Sequence, residues 1–117
     1  MSQMDFEART IRVRYNSADF GPHTFDFEDA IPLDTTLASV SCRAFQGKVK
    51  PGEDLTAETE VAALIDNVKT AVTGDYVVSV YFDYPGDSYI ANYTLVFEIT
   101  LNNAAVHPYY FYKVTVE

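Results

Sequence analysis

Apolar and polar side chains alternate along most of this chain. In TIRVRYN, residues 10–16, Arg12 and Arg14 separate the apolar side chains of Ile11, Val13 and Tyr15. The same alternation recurs in HTFDFED, LASVSCRAF, YVVSVYFDY, NYTLVFEITL and YYFYKVTVE. Because successive side chains of a strand point to opposite faces, this pattern predicts strands with one buried face.

Pairs of residues that favour turns separate these segments. Proline presets φ, and glycine and asparagine tolerate the positive φ that many turns require. The pairs are Pro51-Gly52, Thr73-Gly74, Pro85-Gly86 and Asn102-Asn103. Short strands joined by such turns predict an all-β fold, an antiparallel sandwich of about seven strands.

Residues 56–72 leave two alternatives open. The apolar residues of this stretch have the spacing of a helix face: Val61, Leu64, Ile65 and Val68. Thr56 could begin a short helix, but the stretch could equally cross between two sheets as short strands. We expect strands with at most a single helical turn.

The overall charge and the single cysteine restrict the partners and the compartment. The chain of 117 residues has a formal net charge of −9, which repels phosphate backbones and anionic lipids, so we expect no nucleic-acid or membrane partner. No apolar run approaches the roughly 20 residues of a membrane span, and no signal peptide is visible. We expect synthesis in a reducing cytoplasm, a flexible arm at residues 1–8 and one domain at residues 9–117.

Catalytic and metal-binding patterns are sparse, so we expect neither an enzyme nor a cofactor. His23 and His107 each stand next to a proline and lack the short spacing of a paired metal site. Acidic residues cluster within residues 26–34 and 53–60. A solvated acidic face explains these clusters, with calcium binding by a loop as the alternative. No metal site is predicted.

Two segments resemble strands of immunoglobulin-like domains. LASVSCRAF places Cys42 in mid-strand on the inward face, like the strand with the first immunoglobulin cysteine, and ANYTLVF resembles the strand with the second. The resemblance implies an immunoglobulin-like sandwich without the inter-sheet disulfide. It makes Tyr93 the tyrosine-corner residue, with its hydroxyl bonded to upstream backbone, and puts Leu95 at the second cysteine position.

Cys42 is then expected to be a small core residue that packs against Leu95 across the sheets. A reactive thiol is the alternative, and it would need a cationic setting that lowers the thiol pKa. Arg43 points to the opposite face of the strand, so the core role is preferred.

Consecutive aromatic residues in the last segment, YYFY at 109–112, must point to both faces of a strand. If Tyr110 faces the core, Tyr109 and Phe111 face outward beside Val96 of the neighbouring strand. We predict that this outward row is a contact surface. Packing tyrosines without a binding role are the alternative.

Further outward positions are predicted on other strands. Phe45 and Tyr81 are expected to face outward on the opposite sheet. Arg12 and Arg14 suit an exposed edge strand that faces water or an acidic partner, and they join the interface candidates.

An acidic sandwich made in the cytoplasm without disulfides resembles small accessory proteins of tailed bacteriophage particles, such as head-decoration and tail or baseplate components. The stretches GKVKPGEDLTAETE, YTLVFEITLNN and FYKVTVE carry this resemblance. It implies a non-enzymatic structural protein that ends in a virion and binds other protein subunits, including further copies of itself.

A carbohydrate-binding or adhesion module is the alternative function. Exposed tyrosine rings of a sandwich can stack on sugars while nearby carboxylates bond hydroxyl groups. The segment YFDYPGDSY offers such a set: Tyr81, Asp83, Tyr84, Asp87 and Tyr89.

Overall fold

The computed structural model describes residues 11–14, 19–50, 52, 54–83 and 91–116. In this part of the chain the strands are β1 (Ile11–Val13), β2 (His23–Asp26), β3 (Leu37–Gln46), β4 (Ala71–Val72), β5 (Val77–Val80), β6 (Ala91–Leu101) and β7 (Val106–Val116). β6 and β7 are rich in the β-branched and aromatic residues that suit a pleated surface. The predicted arm at residues 1–8 lies outside the described residues.

The strands form two sheets that pack face to face as a sandwich. One sheet has the order β1-β7-β6-β3, and the other has the order β2-β5-β4. In immunoglobulin lettering, β2, β5 and β4 take the places of B, E and D, and β3, β6 and β7 take those of C, F and G. The predicted all-β sandwich without an inter-sheet disulfide is confirmed.

The first strand departs from the predicted antiparallel arrangement. β1 runs parallel to β7, with Ile11 opposite Val114 and Val13 opposite Val116, whereas the other named pairs are antiparallel. The chain passes from β1 to β2 in the other sheet, so no hairpin forces β1 and β7 to run in opposite directions. Ile11 and Val13 are buried, which confirms the predicted inward face of this strand.

Aromatic rings from both sheets fill the space between them, which we call the inter-sheet core. Phe25 of β2 reaches Phe97 and Phe111, with ring centroids 4.9 and 5.3 Å apart. Phe27, directly after β2, lies 5.5 Å from Phe97 and 5.3 Å from Tyr109. Tilted and edge-on contacts of this kind add to the stabilisation from apolar burial. The inward row predicted on β6 is confirmed: Tyr93, Leu95, Phe97, Ile99 and Leu101.

A β-bulge in β7 reverses the predicted facing of its aromatic row. Tyr93 of β6 lies opposite Val114, but Leu95 lies opposite Phe111, so β7 has one residue more than β6 over this interval. One extra residue shifts the alternation of side chains by one position. Val114 therefore faces the core on one side of the bulge, and Phe111 and Tyr109 face it on the other.

Tyr109 and Phe111 are consequently core residues, with 3% and 2% of their surface exposed, and their prediction as an outward contact surface is wrong. The hydroxyl of Tyr109 donates a hydrogen bond to the carbonyl of Ala30 at 3.0 Å, which joins β7 to the loop after β2. Burial raises the pKa of this phenol above its ordinary value. Tyr110, predicted to face the core, belongs to a separate cluster on the outer face of the sheet.

Cys42 does not occupy the place that the immunoglobulin resemblance implies. It lies on β3, which pairs with β6 in the same sheet, and the residue opposite is Phe97. Leu95 lies opposite Ala44, so the predicted contact of Cys42 with Leu95 across the sheets is wrong. The first immunoglobulin cysteine belongs to strand B, whose place β2 takes here.

The core role of Cys42 and the inward facing of Tyr93 are confirmed. Both side chains are fully buried in the inter-sheet core. Burial raises the pKa of the Cys42 thiol far above its ordinary value, so the thiolate is scarce at neutral pH. The backbone hydrogen bond expected for the Tyr93 hydroxyl stays a prediction.

The ambiguous stretch before β4 consists of single turns and short strand contacts. 3₁₀ turns span Leu55–Ala57 and Ala62–Leu64, and β4 follows them. Val68, which a continuous helix would place on the same face as Leu64, is 96% exposed. Among the described residues, no helix has the length and apolar character that a membrane span requires.

Candidate interaction surfaces

A second apolar cluster lies on the outer face of the four-stranded sheet. Phe45 of β3, Val96 of β6 and Tyr110 of β7 point away from the inter-sheet core and pack with Val49. We call this group the outer-face cluster. The outward direction of Phe45 and Val96 agrees with the prediction, but both residues lie on the same sheet, so the predicted place of Phe45 on the opposite sheet is wrong. All four side chains are buried by the chain's own residues. The predicted exposed patch at Val96 is therefore wrong.

Residues 47–50, directly after β3, lie against this cluster, and we call them the strap. Val49 inserts into the cluster, and the partly buried side chain of Leu55 packs against the cluster. The buried hydroxyl of Thr94 donates to the carbonyl of Gly47 at 2.6 Å and accepts from the amide of Val49 at 3.1 Å. An apolar side chain and a threonine hydroxyl thus attach the strap to β6.

An ion pair flanks the outer-face cluster. The guanidinium of Arg43 donates to both carboxylate oxygens of Glu60, at 3.1 and 2.9 Å, and lies 4.9 Å from the centre of the Phe45 ring. These hydrogen bonds hold the pKa of Glu60 below its ordinary value, and they raise the pKa of Arg43. Because Glu60 also forms a backbone bridge with Phe45, the pair links the chain after the strap to β3.

Hydrogen bonds cover much of the free edge of β3. The segment around Glu60 pairs with the end of the strand. Farther along, the side-chain amide of Asn67 accepts from the backbone N–H of Cys42 at 3.3 Å and donates to its carbonyl at 2.9 Å. Strand edges with free backbone groups invite pairing with other chains. These bonds make this edge of β3 a poor docking site.

The arginines of β1 lie where the sequence predicts them. β1 is the edge strand of its sheet, and the side chains of Arg12 and Arg14 are exposed. The guanidinium of Arg14 bonds the carboxylate of Asp19 at 2.8 Å, and it lowers the pKa of that carboxyl. The role of the two arginines in an interface stays a prediction.

Three connections meet at one end of the sandwich, which we call the loop end: β2–β3, β4–β5 and β6–β7. The backbone N–H of Leu37 donates to the carbonyl of Asp75 at 2.8 Å, and that of Asn102 donates to the carbonyl of Thr36 at 3.0 Å. Backbone hydrogen bonds therefore hold the connections to one another.

Leu33 projects from the loop end with 96% of its surface exposed. The amide and hydroxyl of Thr35 both donate to the carbonyl of Pro32, at 3.2 and 2.9 Å, and these bonds define the turn that presents Leu33. Sequence reasoning missed this residue, because its only signal is an apolar side chain inside the turn-forming stretch IPLDTT. The exposed charged side chains of the three connections are acidic: Glu28, Asp29, Asp34 and Asp75.

The residues of the carbohydrate alternative are only partly described. Tyr84, Asp87 and Tyr89 lie outside the described residues. Tyr81 is half-buried with the ammonium of Lys69 at 5.9 Å from its ring centre, and Asp83 is exposed. This alternative stays a prediction.

The two histidines lie apart. His23, at the start of β2, bonds the carbonyl of Asp19 at 2.7 Å. Phe25 of β2 contacts Phe111, and Phe27, directly after β2, contacts Tyr109. His23 therefore lies towards the end of β7 that follows Phe111. His107 stands at the other end of that strand. No group of three or more His, Cys, Asp or Glu side chains is placed to hold a metal ion within the described ranges.

Comparison with known proteins adds no relative to this picture. No protein-family model, curated protein or solved structure matches the chain.

Proposed function

We propose that this protein is a non-enzymatic structural or interaction protein that binds other subunits of a larger assembly through its loop end. The observation that carries the proposal is the 96% exposure of Leu33 on a hydrogen-bonded turn. A turn that is already ordered loses little conformational entropy on binding. Burial of a leucine side chain in a partner contributes roughly 1.5–3 kcal/mol of favourable free energy.

The charge at the loop end indicates the chemistry of the partner. Acidic side chains accompany Leu33, and the described connections at this end are residues 27–36, 73–76 and 102–105, whose sequences contain neither lysine nor arginine. Complementary charge steers association and excludes wrong partners. The proposed partner therefore offers an apolar pocket with a basic rim.

The proposed assembly is a virion. The resemblance of the sequence to accessory proteins of tailed bacteriophages supports this part of the proposal, and it is independent of the argument from Leu33. The contact surface differs from the aromatic row that the sequence predicted, because Tyr109 and Phe111 are buried in the core.

A matched pair of variants tests the proposal. Leu33→Asp adds a charge at the loop end, and Val68→Asp makes a similar change at another turn, at a side chain that is also 96% exposed. Particles released by lysis of the source cells are purified, and the chain is quantified in them. We expect wild type and Val68→Asp in the particles, and at least tenfold less Leu33→Asp.

Two results would contradict the proposal. Absence of the wild-type chain from the particles would remove the virion assignment. Equal incorporation of Leu33→Asp and wild type would remove the loop end as the binding surface. Circular dichroism of the purified variants controls for their folding.

A further inference from the structure

The β6–β7 connection at the loop end is a short hairpin turn with an alanine in an unfavourable backbone conformation. The backbone N–H of Ala104 donates to the carbonyl of Leu101, and the N–H of Leu101 donates to the carbonyl of Ala105, both at 2.9 Å. Ala104 has a φ of +69°, and no other residue except glycine has a positive φ in the part of the chain that the structure describes. The last loop residue of such a hairpin takes the left-handed conformation, which favours glycine. Alanine therefore stands where glycine is expected.

Hydrogen bonds around the turn hold this conformation in place. The side-chain carbonyl of Asn103 accepts from the backbone N–H of Ala105 at 3.0 Å. The backbone N–H and the side-chain amide of Asn102 both donate to Thr36, to its carbonyl and to its hydroxyl. In the left-handed region the Cβ of an L-residue approaches the following carbonyl oxygen, a contact that glycine avoids. The turn thus keeps the methyl group of Ala104 at a cost in stability.

This methyl group belongs to the same surface as Leu33. Ala104 is exposed, and Val106, at the start of β7, has 59% of its surface exposed. The bonds between Asn102 and Thr36 join the turn to the connection that presents Leu33. An exposed methyl group contributes little to the packing of its own chain, and strained residues are concentrated at binding sites. Contact with a partner accounts for both the strain and the exposure.

We propose that the β6–β7 turn is a second contact point of the loop end, at which the methyl group of Ala104 fits closely against the partner. The partner is the subunit proposed above, which receives Leu33 in an apolar pocket with a basic rim. Val106 extends the apolar contact along β7. Glycine at position 104 would lose the methyl contact, and a longer side chain would hold the two surfaces apart. The inference rests on the proposed binding at the loop end.

Thermal unfolding of Ala104→Gly tests the cost in stability. Glycine relieves the unfavourable conformation, so Tm should rise by about 3 °C or more. Ala63→Gly is the matched control, because Ala63 is also exposed, has no positive φ and lies in a turn outside the loop end. This control should lower Tm, since glycine gains conformational freedom in the unfolded chain. An unchanged or lower Tm of Ala104→Gly would overturn the claim that alanine is kept at a cost.

Competition between two chains measures the contact. Wild type and Ala104→Gly are produced together in the source cells, and their ratio in purified particles is compared by mass spectrometry with their ratio in the lysate. Loss of one buried methyl group should deplete Ala104→Gly roughly threefold or more, although the variant is the more stable chain. Ala63→Gly should not be depleted. Undiminished incorporation of Ala104→Gly would overturn the proposal.

A longer side chain separates the contact from the stiffness of the turn. Asparagine tolerates the left-handed conformation better than most residues, so Ala104→Asn keeps the shape of the turn and adds bulk at the contact. We expect it to be depleted roughly threefold or more as well. Incorporation of Ala104→Asn like wild type would show that the partner does not fit closely at this position, and it would overturn the proposal.

Leu33→Asp distinguishes a failure of this inference from a failure of the proposed function. If Leu33→Asp is excluded from the particles while Ala104→Gly enters them like wild type, the loop end binds and the second contact point is wrong. If Leu33→Asp also enters like wild type, the binding at the loop end is wrong, and the second contact point is wrong with it.

Discussion

The inter-sheet core and the outer-face cluster occupy opposite faces of the same strands, yet they are built differently. The inter-sheet core joins side chains from two sheets, including interlocked rings such as Phe25 and Phe97. In the outer-face cluster, residues of a single sheet pack against a short connection that carries Val49. The difference teaches that side chains buried to the same extent can be covered in different ways, by a second sheet in one region and by a connection in the other.

The largest expected effect is that of Phe97→Ala in the inter-sheet core. The ring is fully buried and contacts Phe25 and Phe27. Its removal leaves a cavity between two rigid sheets, and we expect a loss of about 3–5 kcal/mol in the free energy of unfolding. Urea denaturation of the variant measures this loss. A loss below about 1 kcal/mol would show that the sheets close over the cavity.

A pair of identical substitutions compares the two regions directly. Val78 faces the inter-sheet core and Val96 faces the outer-face cluster, and both are fully buried. We expect Val78→Ala to lower the free energy of unfolding by about 2 kcal/mol and Val96→Ala by about 1 kcal/mol, because the strap can settle into the space that Val96 leaves. Equal losses in parallel urea titrations would contradict the comparison.

The smallest expected effect is a pH dependence of the outer region. The pKa of Glu60 is lowered in the folded state by its hydrogen bonds from Arg43, relative to an ordinary value of 4.5. The stabilisation is therefore complete above that value and is lost as the pH falls through the folded-state pKa. About a third of each side chain is exposed, so the effect should stay below about 1 kcal/mol.

Glu60→Gln should remove this contribution and reduce the loss of stability between neutral and acidic pH. The free energy of unfolding is measured by urea titration on both sides of the pKa. Glu28→Gln at the loop end is the matched control, because Glu28 belongs to the β2–β3 connection and its side chain is exposed. The prediction fails if both variants show the same pH dependence as wild type.

The alternation of apolar residues was sufficient to predict much of the fold. The inward rows of β1 and β6 are confirmed, as is the burial of Phe25, Val78 and Cys42. These residues keep a two-residue period in stretches of strand away from a bulge, where the alternation of apolar and polar side chains indicates which face is buried. The two-sheet sandwich follows from the number of such strands and from the turn residues between them.

The same alternation failed at Tyr109 and Phe111. The bulge that reverses their facing arises from the pairing of β7 with β6, and an extra residue in one strand is invisible without its partner. The rows on either side of the bulge each keep a period of two residues. The bulge changes only the phase between the two rows, so the buried positions shift by one residue.

Local pattern thus decides which residues can form strands and which side chains share a face, because these properties depend on neighbours in the chain. The pairing partner of Cys42, the covering of Val96 by Val49 and the exposure of Leu33 depend on contacts between residues far apart in sequence. Such contacts are set when the sheets pack and the connections close over them, so they emerge only in the folded molecule.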